Sequence, residues 1–263
     1  MNLLNSIKSI FTYRVFVWEM AKRDMIAINK GAVLGYLWQI ISPLIQTTAY
    51  VVIVSFIFRQ RFQQDGSILS YALYVLSGQI PWQIVTRSLQ TAPMLVRERI
   101  DIIKQVIYPI ETLPITVLIT AGVGSSVSLI LFIVLAAYSG VLHISVLLLP
   151  IPIVMLIIFI LGCSWIFMIA GVILKDIRDV ITVLLGLLVF LSPVILTEAM
   201  VGAVFWKIIL CNPLAHIVIV FRDVFYGTMH PISWVIFASF SILVLLIGAT
   251  FISKMRIAIN EFI

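Results

Sequence analysis

Residues 112–174 read TLPITVLITAGVGSSVSLILFIVLAAYSGVLHISVLLLPIPIVMLIIFILGCSWIFMIAGVIL, 63 consecutive positions without Asp, Glu, Lys or Arg. One membrane crossing takes about 20 predominantly apolar residues, so the run is too long for one crossing and sufficient for two. Ser139-Gly140 to His143 is where the two are expected to join. Over the whole chain of 263 residues, 62% are hydrophobic and 11% charged. A soluble core uses about 45–50% apolar residues. The chain therefore reads as an all-α integral membrane protein.

Working outward, gaps between charges locate the other spans. Gly35 to Phe58 carries no charge, and Tyr71 to Leu95 carries only Arg87, which can snorkel toward a membrane face. Val180 to Thr197 is a short fifth candidate and Ile232 to Ser253 a sixth. Six spans put both termini on one side. Of 17 Lys and Arg, 13 fall in the segments on that side, which the positive-inside rule makes the cytoplasm. Met1 to Lys30 lacks the compact apolar region and small-residue cleavage site of a signal peptide, so the mature chain is expected to begin at Met1. Leu3, Leu4, Ile7, Ile10, Phe11, Val15 and Trp18 recur at helical spacing, as in a helix lying in the membrane interface. Residues 1–30 form that interfacial segment of one membrane domain covering 1–263.

Two segments fit neither span nor ordinary loop. Between spans two and three, Arg97 to Pro109 concentrates charge; as a helix it would align Arg97, Asp101, Lys104 and Tyr108 on one stripe, beside Val96, Ile100, Ile103 and Ile107. A short amphipathic helix of this kind suits docking to another protein. Between spans five and six, residues 198–231 hold a 14-residue uncharged run, Ile208 to Phe221, interrupted at Asn212-Pro213. Runs of that length are more often re-entrant than spanning. Two half-inserted helices are expected, with Lys207, Arg222 and Asp223 near water.

Several function classes lose support. No G-x-x-x-x-G-K-[ST] loop occurs, so nucleotide phosphates have no P-loop here. His143, His216 and His230 are scattered, no metal-ligand spacing exists, and Cys163 and Cys211 read as packing residues. The spans lack mid-depth Asp and Glu, which argues against ion-coupled carriers. Asp176 and Asp179 alternate with Lys175 and Arg178 in a short turn, so no catalytic pair is evident and a membrane glycosyltransferase is disfavoured. Tyr36, Trp38, Tyr50, Phe56, Phe58, Tyr71, Tyr74 and Trp82 concentrate in the first two spans; an interfacial belt and sugar stacking by Tyr36, Trp38, Tyr50 and Trp82 are both open readings.

Arg23-Asp24, Gly31-Ala32-Val33-Leu34-Gly35-Tyr36-Leu37-Trp38 with Pro43, Gly78-Gln79-Ile80-Pro81-Trp82, Ile102 to Pro109, and Asn212-Pro213 followed by Arg222-Asp223 together resemble one family. It comprises the membrane permeases of ABC exporters for lipid-linked polysaccharides: O-antigen, capsule and teichoic acid. Arg99-Ile100-Asp101 departs from the Asn usual before Ile102. The resemblance implies a homodimer in the bacterial inner membrane, with two copies of a separate ATPase that supplies ATP and Mg, no cofactor in this chain, and an undecaprenyl-linked polymer as substrate, O-antigen foremost. It further implies a coupling role for Arg97, Glu98, Arg99, Asp101, Lys104 and Tyr108, with Lys22, Arg23 and Asp24 as a second contact. Residues 198–231 would be periplasmic gate helices carrying Asn212, Pro213, Arg222 and Asp223. A small-molecule efflux permease and a flippase without an ATPase are the more distant alternatives.

Overall fold

The computed structural model describes residues 11–29, 34–38, 41–42, 44–46, 48–49, 52, 68–101 and 109–262. Among these the regular structure is helical. The helices are α1 (Arg14–Asn29), α2 (Ile68–Thr91), α3 (Leu95–Glu98), α4 (Leu113–Tyr138), α5 (Pro150–Ile173), α6 (Ile177–Leu188), α7 (Glu198–Leu210), α8 (Pro213–Tyr226) and α9 (Pro231–Phe262). Half of the first expected span, Gly35 to Phe58, lies outside the described residues.

The 63-residue run resolves into α4 and α5, joined by a turn and a 3-10 segment at Ile144–Leu148. Proline stands in the first turn of both helices, Pro114 and Pro150, where its missing N–H costs nothing. Ile110–Tyr138, Pro150–Ile173 and Pro231–Lys254 are each long and apolar enough to cross a membrane. Large side chains remain exposed on them, among them Ile130, Val134, Val154 and Val235. Contiguous apolar surface on that scale belongs against lipid or another protein.

Two expected spans look different in three dimensions. Over Ile68–Thr91 the helix is 24 residues long. It is also less apolar, because Ser77, Gln79, Gln83 and Ser88 are buried inside the protein rather than offered to lipid. Gln83 Oε1 accepts from Ser128 Oγ of α4 at 3.2 Å. Val180 to Thr197 is not one helix: α6 ends at Leu188 and turns occupy 189–195. Pro193 cannot donate to the preceding turn, and the carbonyls that follow take side-chain donors instead.

Residues 198–226 form a helix, a break and a second helix bent by 115°. Cys211-Asn212 is that break, with Asn212 Oδ1 accepting from Leu214 N at 3.0 Å as the N-cap and Pro213 opening α8. Gly202, at φ 80°, adds a kink inside α7 that a side chain would oppose. Leu214 to Phe225 of α8 are all buried within the protein. Phe221 and Phe225 pack in the main core beside Phe132 of α4, whose ring centroid lies 4.4 Å from that of Phe225.

Helices α5 and α9 run against each other along much of their length. At Gly162 an added Cβ would lie 2.6 Å from the Val244 and Leu245 backbone, and at Gly248 it would lie 3.0 Å from Gly162 Cα. The two backbones meet with no side chain between them, as small residues permit in membranes. Gly162→Leu should force the pair apart and cost about 1–3 kcal/mol, read as a lower melting temperature in detergent. An unchanged melt would deny the backbone contact.

Candidate functional site

The charged residues gather at two ends of the bundle. At one end α1 packs on α4, burying Val17, Met20 and Ala21 while Phe11, Val15 and Trp18 face outward. This places an exposed apolar face on α1, as an interfacial helix requires. The packing of α1 on α4 also brings Asp24 to the chain that follows α2.

That following chain is not one continuous helix. After the 3-10 turn Ala92–Met94, α3 ends at Glu98, and Arg99 leaves helical geometry at φ −119°, ψ 16° before Ile100 and Asp101 turn helical again. The break turns Arg99 inward. Its guanidinium pairs with Asp24 Oδ2 and donates through Nη1 to Thr116 Oγ1 at 2.9 Å. Arg99, expected on the docking surface, is 8% exposed and joins α1, the α3 turn and α4. Burial pushes the Asp24 carboxyl above the usual carboxylate range, while the Arg99 charge and hydrogen bond pull it down.

Other proposed coupling residues remain accessible. Lys22 and Arg23 are exposed, Lys22 lying 3.7 Å from Glu19, and Glu98 and Asp101 are exposed too. Arg97 donates to the Val172 carbonyl at 3.4 Å, tying α3 to the end of α5. Lys104, Tyr108 and Tyr50 lie outside the described residues, as does the Tyr36 side chain.

A cavity of about 940 Å³ opens beside the Arg99 pin. Arg23, Asp24, Trp38, Arg87, Glu98 and Arg178 are among its lining residues. Trp38, half exposed, is thus placed beside charge rather than in an apolar core. Trp82 is the opposite case. It is 7% exposed and packed in the main core, so its ring has no open face for a sugar. Among the described residues no group of three His, Cys, Asp or Glu could hold a metal ion.

At the other end Arg222 and Asp223, expected near water, are 8% and 2% exposed. Arg222 Nη2 donates to the carbonyls of Tyr74 at 2.8 Å and Val194 at 3.1 Å, Nη1 to the Pro193 carbonyl, and Nε to Ser77 Oγ at 3.3 Å. The guanidinium carbon also lies 3.4 Å from the centroid of the Tyr74 ring. Tyr71 and Tyr74 donate to the next two carbonyls, Ile195 at 3.1 Å and Leu196 at 2.9 Å. Side chains thus satisfy four successive carbonyls of the non-helical stretch 193–196, which could not survive in lipid otherwise.

Asp223 serves the opposite neighbour. Its carboxylate accepts from Thr228 Oγ1, the His230 backbone N–H and Trp234 Nε1 at 2.8 to 2.9 Å, and pairs with His230 Nδ1 at 2.6 Å. These bonds fix the turn from α8 into α9. Asn212 Nδ2 reaches the Leu191 carbonyl at 2.9 Å, tying the α7–α8 break to the same unwound stretch. Lys207 stays exposed.

A family profile described as ABC-2 type transporter matches residues 16–226. The O-antigen export system permease protein RfbA of Myxococcus xanthus is 23% identical over 232 residues, 87% of this chain and 87% of that protein. A Klebsiella pneumoniae protein of the same name is 23% identical over 245 residues, 92% of each chain. The polysialic acid transport protein KpsM of Escherichia coli is 26% identical over 192 residues, 72% of this chain and 73% of that one.

Proposed function

Because the chain belongs to the ABC-2 type transporter family, we propose that it is the membrane permease of an ATP-driven exporter carrying lipid-linked polysaccharide across the bacterial inner membrane. O-antigen is the substrate we favour. The observation that carries this reading is end-to-end similarity to relatives named O-antigen export permeases, spanning 87% and 92% of the chain. Capsular polysaccharide is the second reading, favoured by the shorter match to KpsM.

The chain carries no P-loop, so ATP and Mg belong to a separate ATPase, two copies serving a permease homodimer. We assign six spans per protomer, the first within Gly35 to Phe58, and place both termini in the cytoplasm from the distribution of Lys and Arg. The Asp24–Arg99 end then faces the ATPase. Residues 97–108 and Lys22 to Asp24 form the coupling surface there. Helices α7 and α8 belong to the periplasmic half, where their break and the unwound stretch 193–196 give the polymer's exit a movable boundary.

Deleting the gene in its host should leave completed polymer inside the cell, and the tagged chain should purify with a P-loop ATPase in equal number. Normal surface polymer in the deletion strain, together with a permease that purifies without any ATPase, would overturn the reading.

A further inference from the structure

The turn between α4 and α5 has two apolar faces and no charge. Residues 139–149 fall inside the run that holds no Asp, Glu, Lys or Arg. In the 3-10 segment Ile144–Leu148, residues three apart stack on one stripe. Val146 and Leu149 lie on the stripe that packs against the main core. Ile144 and Leu147 lie on another and are 76% and 75% exposed, with Leu148 exposed beside them. A turn that projects into water carries polar residues outward. This one carries isoleucine and leucine.

Its polar groups are satisfied within the protein instead. The N–H groups of Ser139, Gly140, Val141 and Leu142 donate to carbonyls near the end of α4, and that of Ser145 donates to His143 Nδ1 at 3.2 Å. His143 N–H donates to the Phe225 carbonyl at 3.3 Å, and Ser145 Oγ to the Val224 carbonyl at 2.7 Å. Those two carbonyls lie in the last turn of α8, beyond the reach of any intrahelical donor. The turn therefore caps α8. Backbone satisfied by protein is also what a lipid-facing segment requires.

Helix length sets the level of the turn. With 24 residues, α5 rises about 36 Å from the end beside exposed Lys175 to Pro150. The hydrocarbon core of a bilayer is about 30 Å thick, and the bilayer with its headgroup layers about 40–45 Å. With the Lys175 ammonium at one boundary of the hydrocarbon, Pro150 and the turn before it fall in the headgroup layer of the opposite leaflet. The exposed apolar faces of α4 and α5 lead into it through Val134, Ile151 and Val154.

We propose that Ile144, Leu147 and Leu148 insert among the acyl chains of that leaflet, so that the lipid surface anchors the turn. Through His143 and Ser145 the anchor holds the capped end of α8 at a fixed depth. The partner is phospholipid. The contact needs neither an ATPase nor a polymer, so it holds whether or not the chain is an exporter.

The test uses the full chain in phospholipid vesicles, with Cys163→Ala and Cys211→Ser removing the two native thiols and a fluorophore attached at Leu147→Cys or Ile144→Cys. Both sites are exposed, and either decides if the other variant fails to fold. Ile130→Cys on the exposed face of α4 is the lipid control, and Asp176→Cys in the charged turn before α6 the water control. The label in the turn should be quenched by lipid spin-labelled on its acyl chain, as at Ile130, and protected from aqueous iodide, unlike at Asp176. Leu147→Glu sets a charge against the acyl chains and should speed amide exchange over residues 139–149 and 224–230 about tenfold or more, leaving the middles of α4 and α5 unchanged. Quenching by iodide alone would put the turn in water, and quenching by neither agent would mean that protein covers it; each overturns the lipid contact. Wild-type exchange over residues 224–230 in Leu147→Glu overturns the hold on α8.

Discussion

Arg222→Met should destabilise the protein by about 3–5 kcal/mol, the scale expected when one member of a buried, fully hydrogen-bonded charged network is removed. Arg222 is the shared donor to the carbonyls of Tyr74, Pro193 and Val194. Methionine fills much of the volume and removes every donor. In water the freed carbonyls would rehydrate, but here they lie among α2, α8 and the unwound stretch, where an unsatisfied group keeps its full desolvation cost. Arg222→Lys should recover little. An ammonium is a point donor that cannot span carbonyls on two segments, and it needs hydration that the site does not offer. The measurement is thermal unfolding in detergent, where a fall of several degrees is expected for both variants. A melt matching wild type for Arg222→Met would mean that stretch 193–196 finds other donors and that the guanidinium is not its anchor.

How far such a residue can be read from sequence depends on what competes for it. The run from 112 to 174 was legible because length and apolarity alone demand two crossings, and α4 and α5 occupy it as expected. Asn212-Pro213 was equally plain: an N-cap and a proline announce a helix start wherever the surroundings permit, and α8 begins there. Arg222 was misplaced because a charge in an apolar chain is assigned to water by default. Its true environment is built from carbonyls more than 25 residues away, which no local pattern contains. The same holds for Val180 to Thr197. Apolarity suggested a span, while the unwinding after Leu188 depends on donors brought by α2 and α8. At the other end, helical spacing put Arg97 and Asp101 on one stripe, and the break at Arg99 interrupts that stripe in the structure. Polar side chains in membrane proteins take their meaning from partners, and partners are a tertiary property.

Arg99→Glu should abolish export, and its partner variants can separate pairing from transmission. The substitution sets two carboxylates against each other where Arg99 now bridges Asp24 of α1 and Thr116 of α4. Repulsion in a partly dehydrated site costs more than the loss of a surface pair, which is worth about 0–1 kcal/mol. Combining Asp24→Arg with Arg99→Glu restores opposite charges and should recover part of the export if pairing is what matters. The apolar double variant, Asp24→Leu with Arg99→Met, asks a sharper question. Replacing both members of a buried pair is often close to neutral for stability. Burial already holds the Asp24 carboxyl above its usual range, so the ionised pair carries a cost that the apolar version would relieve. If the pin transmits force from the coupling surface into α4, the apolar variant should fold, bind the ATPase and still export poorly, because a directional link has become a soft contact. Surface polymer measured against permease abundance and ATPase recovery distinguishes these outcomes. Full export from the apolar variant would reduce Arg99 to a packing residue and move coupling to the exposed residues of this end, Glu98 and Asp101.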